Sequence, residues 1–403
     1  MTKRSFSLGA LWEVFLTALK LGLTSFGGPA AHIGYFREEY VARRKWLTDR
    51  SFAELVALCQ FLPGPASSQL GMAIGVRRAG ALGAIAAWLG FTLPSALLMI
   101  VFAYSAHSLS VTEAGWLQGL KLAAVAIVAQ AVWNMARSLA PDPTRATMAL
   151  GTASVAIFMP ALWGQLLPLI ICAVIGLIWL KPQEAKADSN ENDDVNHFIG
   201  RGFAASMLVL FFLLLVCLPL ASGMTGSSLL SLADGMYRAG SLVFGGGHVV
   251  LPMLEAQLLG QEGQGLSHDQ FMAGYGAVQA VPGPLFTFAA YIGAALQAGP
   301  MRIVYAFIAI IAIFLPAFLL LIGTLPFWET LKRNRFAQAG LKGINAGIVG
   351  VLLAALYDPI FIDTVLTPLH FAIVLALFAV LHIWKLPPWA AVLLAAIAGL
   401  LFL

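Results

Sequence analysis

Four basic residues of this chain, Lys20, Lys121, Arg238 and Lys342, stand inside apolar runs. A cation at the centre of a bilayer costs about 2.5–3.5 kcal/mol even on the lenient insertion scale, so such residues face protein or a wet cavity. Lys20 lies six residues before Phe26-Gly27-Gly28, and Arg238 six before Phe244-Gly245-Gly246, which Gly247 extends. Further along each run come Pro63-Gly64-Pro65 and Pro282-Gly283-Pro284. These glycines and prolines break helices, and irregular backbone at membrane depth survives only when buried in protein or lining a cavity. A helix restarting after a break presents unpaired amide N–H groups and a positive dipole end. Pro29 and Pro65 suit its first turn, where the missing N–H costs nothing. Helix N-termini bind anions, and cations paired beside them suit a doubly charged one.

Hydrogen-bond donors stand close by. Ser25, Ser67, Ser68, Thr287, Gln60 and Gln279 are the side chains expected to hold the anion's oxygens. Lys20 and Arg238 would supply long-range attraction. Lys121 and Lys342 lie near helix ends and could instead snorkel to the surface. Membrane carboxylates are few: Glu13, Glu54, Glu113, Asp234 and Glu255. Candidate carriers of a coupling proton are Glu54 and Glu255, with His32 and His248 after the glycine breaks; solvated helix ends are the competing reading for the acids. The glycines, too, have a second reading, as sites of close helix packing. No Walker loop, H-E-x-x-H or strand-borne G-x-G-x-x-G occurs. Cys59, Cys172 and Cys217 sit singly in apolar runs. No catalytic residue, metal or cofactor is expected.

The elements that must position these residues are membrane helices. The chain has 403 residues, 60% hydrophobic and 10% charged, with mean hydropathy +0.86, whereas soluble domains carry about a quarter charged residues. The N-terminal run lacks a clean cleavage site and is read as retained. Gln183–His197 is polar and acidic, a flexible linker by composition. On either side of it the sequence repeats. Phe26-Gly27-Gly28, Trp46-Leu47-Thr48, Gln60 with Pro63-Gly64-Pro65, Ala79-Gly80, Leu93-Pro94 and Gly119-Leu120-Lys121 find counterparts at an offset that drifts only from 218 to 222 residues. The chain therefore reads as two repeats, 1–180 and 232–403, joined by 181–231, which holds the linker and an extra apolar segment, 203–220. Helices are expected near 80–105, 114–137, 145–160 and 162–180, and again near 302–326, 339–357, 368–384 and 388–403.

Lysine and arginine collect in cytoplasmic loops. They segregate best when each broken element turns back as a re-entrant hairpin and the N-terminus is cytoplasmic; an arrangement in which every broken element crosses stays open. Either way the single added segment inverts the second repeat and leaves the C-terminus periplasmic. The expected fold is thus an all-α integral membrane protein with two inverted-topology repeats, whose broken or re-entrant helices meet at a central site. Such repeats build secondary transporters with midplane sites.

SFGGP at 25–29, REEYVARRKWLTDRSF at 37–52, QFLPGP at 60–65 and the tandem halves resemble the chromate ion transporter family in its long, two-domain form. The resemblance implies a secondary transporter exporting chromate across the bacterial inner membrane and conferring chromate resistance, with sulfate as the competing look-alike. Its partners would be chromate and the lipid bilayer, without nucleic acid; a homodimer is left open. The second half departs from the first, with FGGGH for FGGP and a loop that has lost its basic run. An oxyanion importer, or a membrane enzyme acting on a phosphorylated lipid, are the rival readings.

Overall fold

The computed structural model describes residues 8–108, 115–159, 162–180, 199–244, 247–258 and 266–403. The expected linker 183–197, Glu113, Gly245 and Gly246 lie outside the described residues. Among those described, every regular element is helical.

The first half opens with α1 (Leu8–Thr24), which stops at the first glycine break; α2 (Gly28–Phe36) restarts after it and passes into a π-helical turn, Arg37–Arg43. Although 31 positions apart, Arg44 Nη1 donates to Glu13 Oε1 at 3.2 Å, and Lys20 Nζ to Glu39 Oε2 at 2.6 Å. An unbroken helix over that stretch would separate Glu13 from Arg44 by about 45 Å. The chain therefore doubles back at Phe26-Gly27. It does so again between α3 (Asp49–Phe61) and α4 (Ala66–Ser108), where Arg78 Nη2 returns to Glu13 Oε2 at 2.8 Å. Thr48 caps α3, accepting from the Ser51 N–H, as Ser/Thr caps do. Non-helical Ala79 and Gly80 then interrupt α4, and its second part is the helix expected near 80–105. Next come α5 (Gly115–Leu139), α6 (Pro143–Phe158) and α7 (Leu162–Trp179).

The apolar segment 203–220 becomes α8 (Arg201–Thr225). It lies at the periphery: 11% of its most apolar window is buried, and Phe212, Val216 and Leu220 face outward. The second half then repeats the order. It runs through α9 (Ser228–Leu242), α10 (Val250–Leu258), α11 (His268–Gln279), α12 (Phe288–Ala295) and α13 (Met301–Thr324). After these come α14 (Trp328–Arg333), α15 (Arg335–Ala355), α16 (Ile362–Thr364), α17 (Pro368–His382) and α18 (Pro388–Phe402). Among the described residues, five helical stretches are long and apolar enough to cross a membrane.

Equivalent positions make equivalent contacts. A Cβ on Gly22 would meet the Phe91 carbonyl oxygen at 2.7 Å, and one on Gly240 the Ile313 carbonyl at 2.1 Å. Gly75 stands against the Gly83 carbonyl at 2.2 Å and Gly293, one place before the matched Ala294, against that of Tyr305 at 2.4 Å, measured the same way. The breaks match in backbone as well: φ is 116° at Gly64 and 102° at Gly283, 68° at Gly80 and 66° at Gly299, a region that only glycine enters freely. The two long central helices cross over. α5 packs on α17 and α18 of the second half, and α15 on α6 and α7 of the first. Finally, α4 and α13 run antiparallel. Trp88 meets Phe314, while farther along α4 Tyr104 meets Arg302, farther back on α13.

Candidate functional site

Two backbone hydrogen bonds join the four breaks in pairs. The Gly283 N–H donates to the Ser25 carbonyl at 2.9 Å, and the Gly64 N–H to the Val243 carbonyl at 2.6 Å. The Pro-Gly-Pro break of each half thus grips the chain just before the Phe-Gly-Gly break of the other.

A small cavity of about 30 Å³ opens at the first of these junctions, lined by Gly27, Gly28, Pro29, His248, Gln279 and Gly283 together with Val278, Val281, Leu285 and Pro388. The α2 N-terminus faces it with Gly27 as N-cap, φ 100°, and no side-chain cap. The first N–H groups of α2 therefore have no capping side chain, which is the arrangement that favours an anion. Ser25 is buried beside the junction, and Pro282 and Pro284 flank Gly283. Phe26 packs toward Trp389. His248 is tied by Nδ1 to the Tyr275 hydroxyl at 2.7 Å, and Gly247 rests against Leu285.

At the second junction, Gln69 Nε2 donates to the Pro63 carbonyl at 2.8 Å and stands 3.1 Å from where a Gly64 Cβ would be. Ser67 and Ser68 are buried next to Pro65, and Phe244 is half-buried. Thr287, matched to Ser68, spends its hydroxyl on the Pro284 carbonyl at 2.8 Å. Gln60 is exposed on α3 and is not part of the cavity lining.

None of the four membrane cations lines the cavity. Lys20 is paired with Glu39, Lys121 with Asp269 at 2.7 Å, and Arg238 with Asp234 one turn earlier. Lys342 is half-buried on α15. The Lys20 pair belongs to a larger knot at the hairpin bases. Arg44 bridges Glu13 and Glu39, and Arg44 and Arg78 both lie over the Trp46 ring, at 5.3 and 5.1 Å. Burial works against the Glu39 charge, and the hydrogen bonds and charges of Lys20 and Arg44 outweigh it, holding the carboxyl below its ordinary range. If this pair fastens the hairpin, Lys20→Glu and Glu39→Lys should each lower the amount of membrane-integrated protein, and the double exchange should restore most of it, as read by blotting of membrane fractions.

Of the proton candidates, Glu54 pairs with Arg50 and Lys332 near the surface. Glu255 is buried, 3.1 Å from His268 Nδ1, and His268 in turn lies 3.9 Å from Asp363. His32 is buried, with the Ser25 backbone as the polar group beside its ring. Among the described residues no cluster of His, Cys, Asp and Glu could hold a metal. Sequence reasoning missed Gln69, Thr92 and Ser95, all buried on α4. The signal available was their polarity close to a glycine or proline already marked: Gln69 lies four residues after Pro65, Thr92 two before Pro94 and Ser95 one after it.

Residues 12–178 and 230–400 both match the family model described as chromate transporter. This chain belongs to the chromate transporter family. Chromate transporter sequences align with it over almost its full length. A chromate transport protein of Pseudomonas aeruginosa is 28% identical, covering 96% of this chain and 91% of the relative. A probable chromate transport protein of Synechococcus elongatus is 26% identical over 99% and 96%. A chromate transport protein of Cupriavidus metallidurans is 25% identical over 86% and 81%. No solved structure matches the chain. Membership and the apolar helices make this a multi-pass membrane protein.

Proposed function

We propose that this protein is a secondary transporter that exports chromate across the bacterial inner membrane, and so confers chromate resistance, by alternating access to the site between the paired breaks. The observation that carries the reading is the reciprocal pair of bonds, Gly283 to Ser25 and Gly64 to Val243. It places an uncapped helix N-terminus at a junction between two halves that can move against each other. The cavity of about 30 Å³ is far below the roughly 150 Å³ that admits benzene. Seating a tetrahedral oxyanion therefore requires the breaks to part, and alternating access supplies that motion.

The halves are inverted repeats on this reading. Antiparallel α4 and α13 support it. So do the ion pairs: the hairpin bases of the first half reach Lys332 after α13, whereas Asp269, at the hairpin base of the second half, reaches Lys121 at the opposite end of the bundle. The second part of α4 with α5, α6, α7, α8, α13, α15, α17 and α18 would then cross. That odd number would put the termini on opposite sides, and the lysine and arginine distribution favours a cytoplasmic N-terminus and a periplasmic C-terminus; hairpins would account for the other elements.

Chromate uptake into inside-out vesicles holding the purified protein is the test. The proposal expects gradient-driven uptake, reduced by sulfate. Sulfate uptake without chromate uptake would favour the importer reading. Turnover of a phosphorylated lipid in detergent, with no second compartment, would favour an enzyme.

A further inference from the structure

Four buried polar side chains lie on the segments that meet at the Ser25–Gly283 junction. Ser25, His32, Thr92 and Ser95 are 0, 1, 3 and 1% exposed. Ser25 Oγ and Thr92 Oγ1 have no hydrogen-bond partner, and neither His32 ring nitrogen makes a hydrogen bond of good geometry, although the Ser25 backbone stands beside the ring. Only Ser95 is satisfied, donating to the Thr92 carbonyl at 3.1 Å. Buried polar atoms are paired in the great majority of cases, so four unpaired ones in one place call for a ligand or a strain that function uses.

They share one location. The Ser25 carbonyl accepts from Gly283. A Cβ on Gly283 would lie 2.8 Å from Ser95 Oγ and 3.3 Å from the Phe91 carbonyl. The His32 ring stands edge-on to Phe91 at 5.4 Å, one turn beyond the N-terminus of α2. An uncapped helix end and buried polar side chains thus belong to the segments that meet at this junction, with Thr92 next in sequence to Phe91.

The second half supplies the control. At the positions matched by the repeat, Ser25 becomes Val243, His32 Val250, Thr92 Phe314 and Ser95 Ala317, all buried. At these four positions the same backbone plan, closed by the same Gly–carbonyl bond, therefore carries apolar side chains, while Gln69 is the polar side chain near Gly64. The polar set is not what the architecture needs.

We propose that Ser25, His32 and Thr92, with the α2 N-terminus, are the side chains that receive the oxygens of a tetrahedral oxyanion once the Ser25–Gly283 junction opens. This rests on the oxyanion reading above and names its ligands. Two hydroxyls, an imidazole and the helix end would bring donors from the end of α1, from α2 and from α4 to the oxygens of one anion. No lysine or arginine is called on; the attraction comes from hydrogen bonds and the helix dipole, which gain strength where water is excluded.

Equilibrium dialysis of purified full-length protein against radiolabelled chromate, with thermal unfolding of the same samples, tests it. His32→Val and Ser25→Val install the residues of the second half. Each is expected to weaken chromate binding by about tenfold or more while the melting temperature holds or rises, because an unsatisfied buried polar group has been removed. His32→Gln, which keeps a donor, should bind between wild type and His32→Val. Wild-type affinity in both valine variants would overturn the proposal and leave the transporter reading intact. A lowered melting temperature accompanying each loss of binding would overturn it too, since it would mark a structural role. Failure of the wild-type protein to bind chromate or sulfate at all would overturn the oxyanion reading itself.

Discussion

Gly283→Val is expected to reduce chromate uptake in vesicles to less than about a tenth of wild type, while the protein still reaches the membrane. Gly283 has φ 102°, and a branched side chain held there stores about 1–3 kcal/mol of backbone strain. The new Cβ would also press on Ser95 Oγ at 2.8 Å and on the Phe91 carbonyl at 3.3 Å. Either the Gly283–Ser25 bond breaks or α4 shifts, and both deform the junction at the cavity. Gly64→Val should act in the same way. Its φ is 116°, and its Cβ would meet Ala317 Cβ at 3.0 Å and Gln69 Nε2 at 3.1 Å. Blotting of membrane fractions separates lost transport from lost protein. Wild-type uptake by Gly283→Val would remove the junction from the transport path.

Gly343→Leu and Gly119→Leu should fail at an earlier stage. A Cβ on Gly343 would lie 2.0 Å from the Cys172 carbonyl oxygen, and one on Gly119 2.0 Å from that of Ala395. These neighbours are backbone, so no side chain can swing aside, and the helices must separate. Overpacking of ordinary cores costs about 1–3 kcal/mol, and a whole helix pair displaced from its partner costs more. Because α5 and α15 grip opposite halves in the same manner, the two variants should lose membrane-integrated protein to a similar extent. Gly151→Ala on α6, which has nothing within 4 Å of the added atom, should accumulate normally. Fluorescence-detected size-exclusion chromatography of detergent extracts reads all three.

The breaks were legible from the sequence because glycine and proline have few other uses in an apolar run, and their repetition at a near-constant offset identified partners. The long helices were legible from length and hydropathy. The destination of the charges was not. Glu39 lies 19 residues from Lys20 and meets it only because the chain reverses at Phe26-Gly27. Asp269 meets Lys121 across 148 positions. Only Asp234 was within reach, one helical turn from Arg238, where opposite charges pair. A cation in an apolar run advertises its cost and not its partner, so Lys20 and Arg238 read as substrate ligands although the fold gives each a carboxylate. Thr92 and Ser95 stayed hidden for the opposite reason. Single hydroxyls are common in membrane helices, and only the junction with Gly283 distinguishes these two.

The central claim is that one anion occupies the junction of the two halves. Its most direct measurement is thiol labelling of Val281→Cys and Pro388→Cys, both in the cavity lining, after Cys59, Cys172 and Cys217 have been replaced. Saturating chromate is predicted to slow labelling at both positions severalfold while leaving the exposed Asn334→Cys unaffected. Equal labelling rates at Val281→Cys and Pro388→Cys with and without chromate would contradict the account.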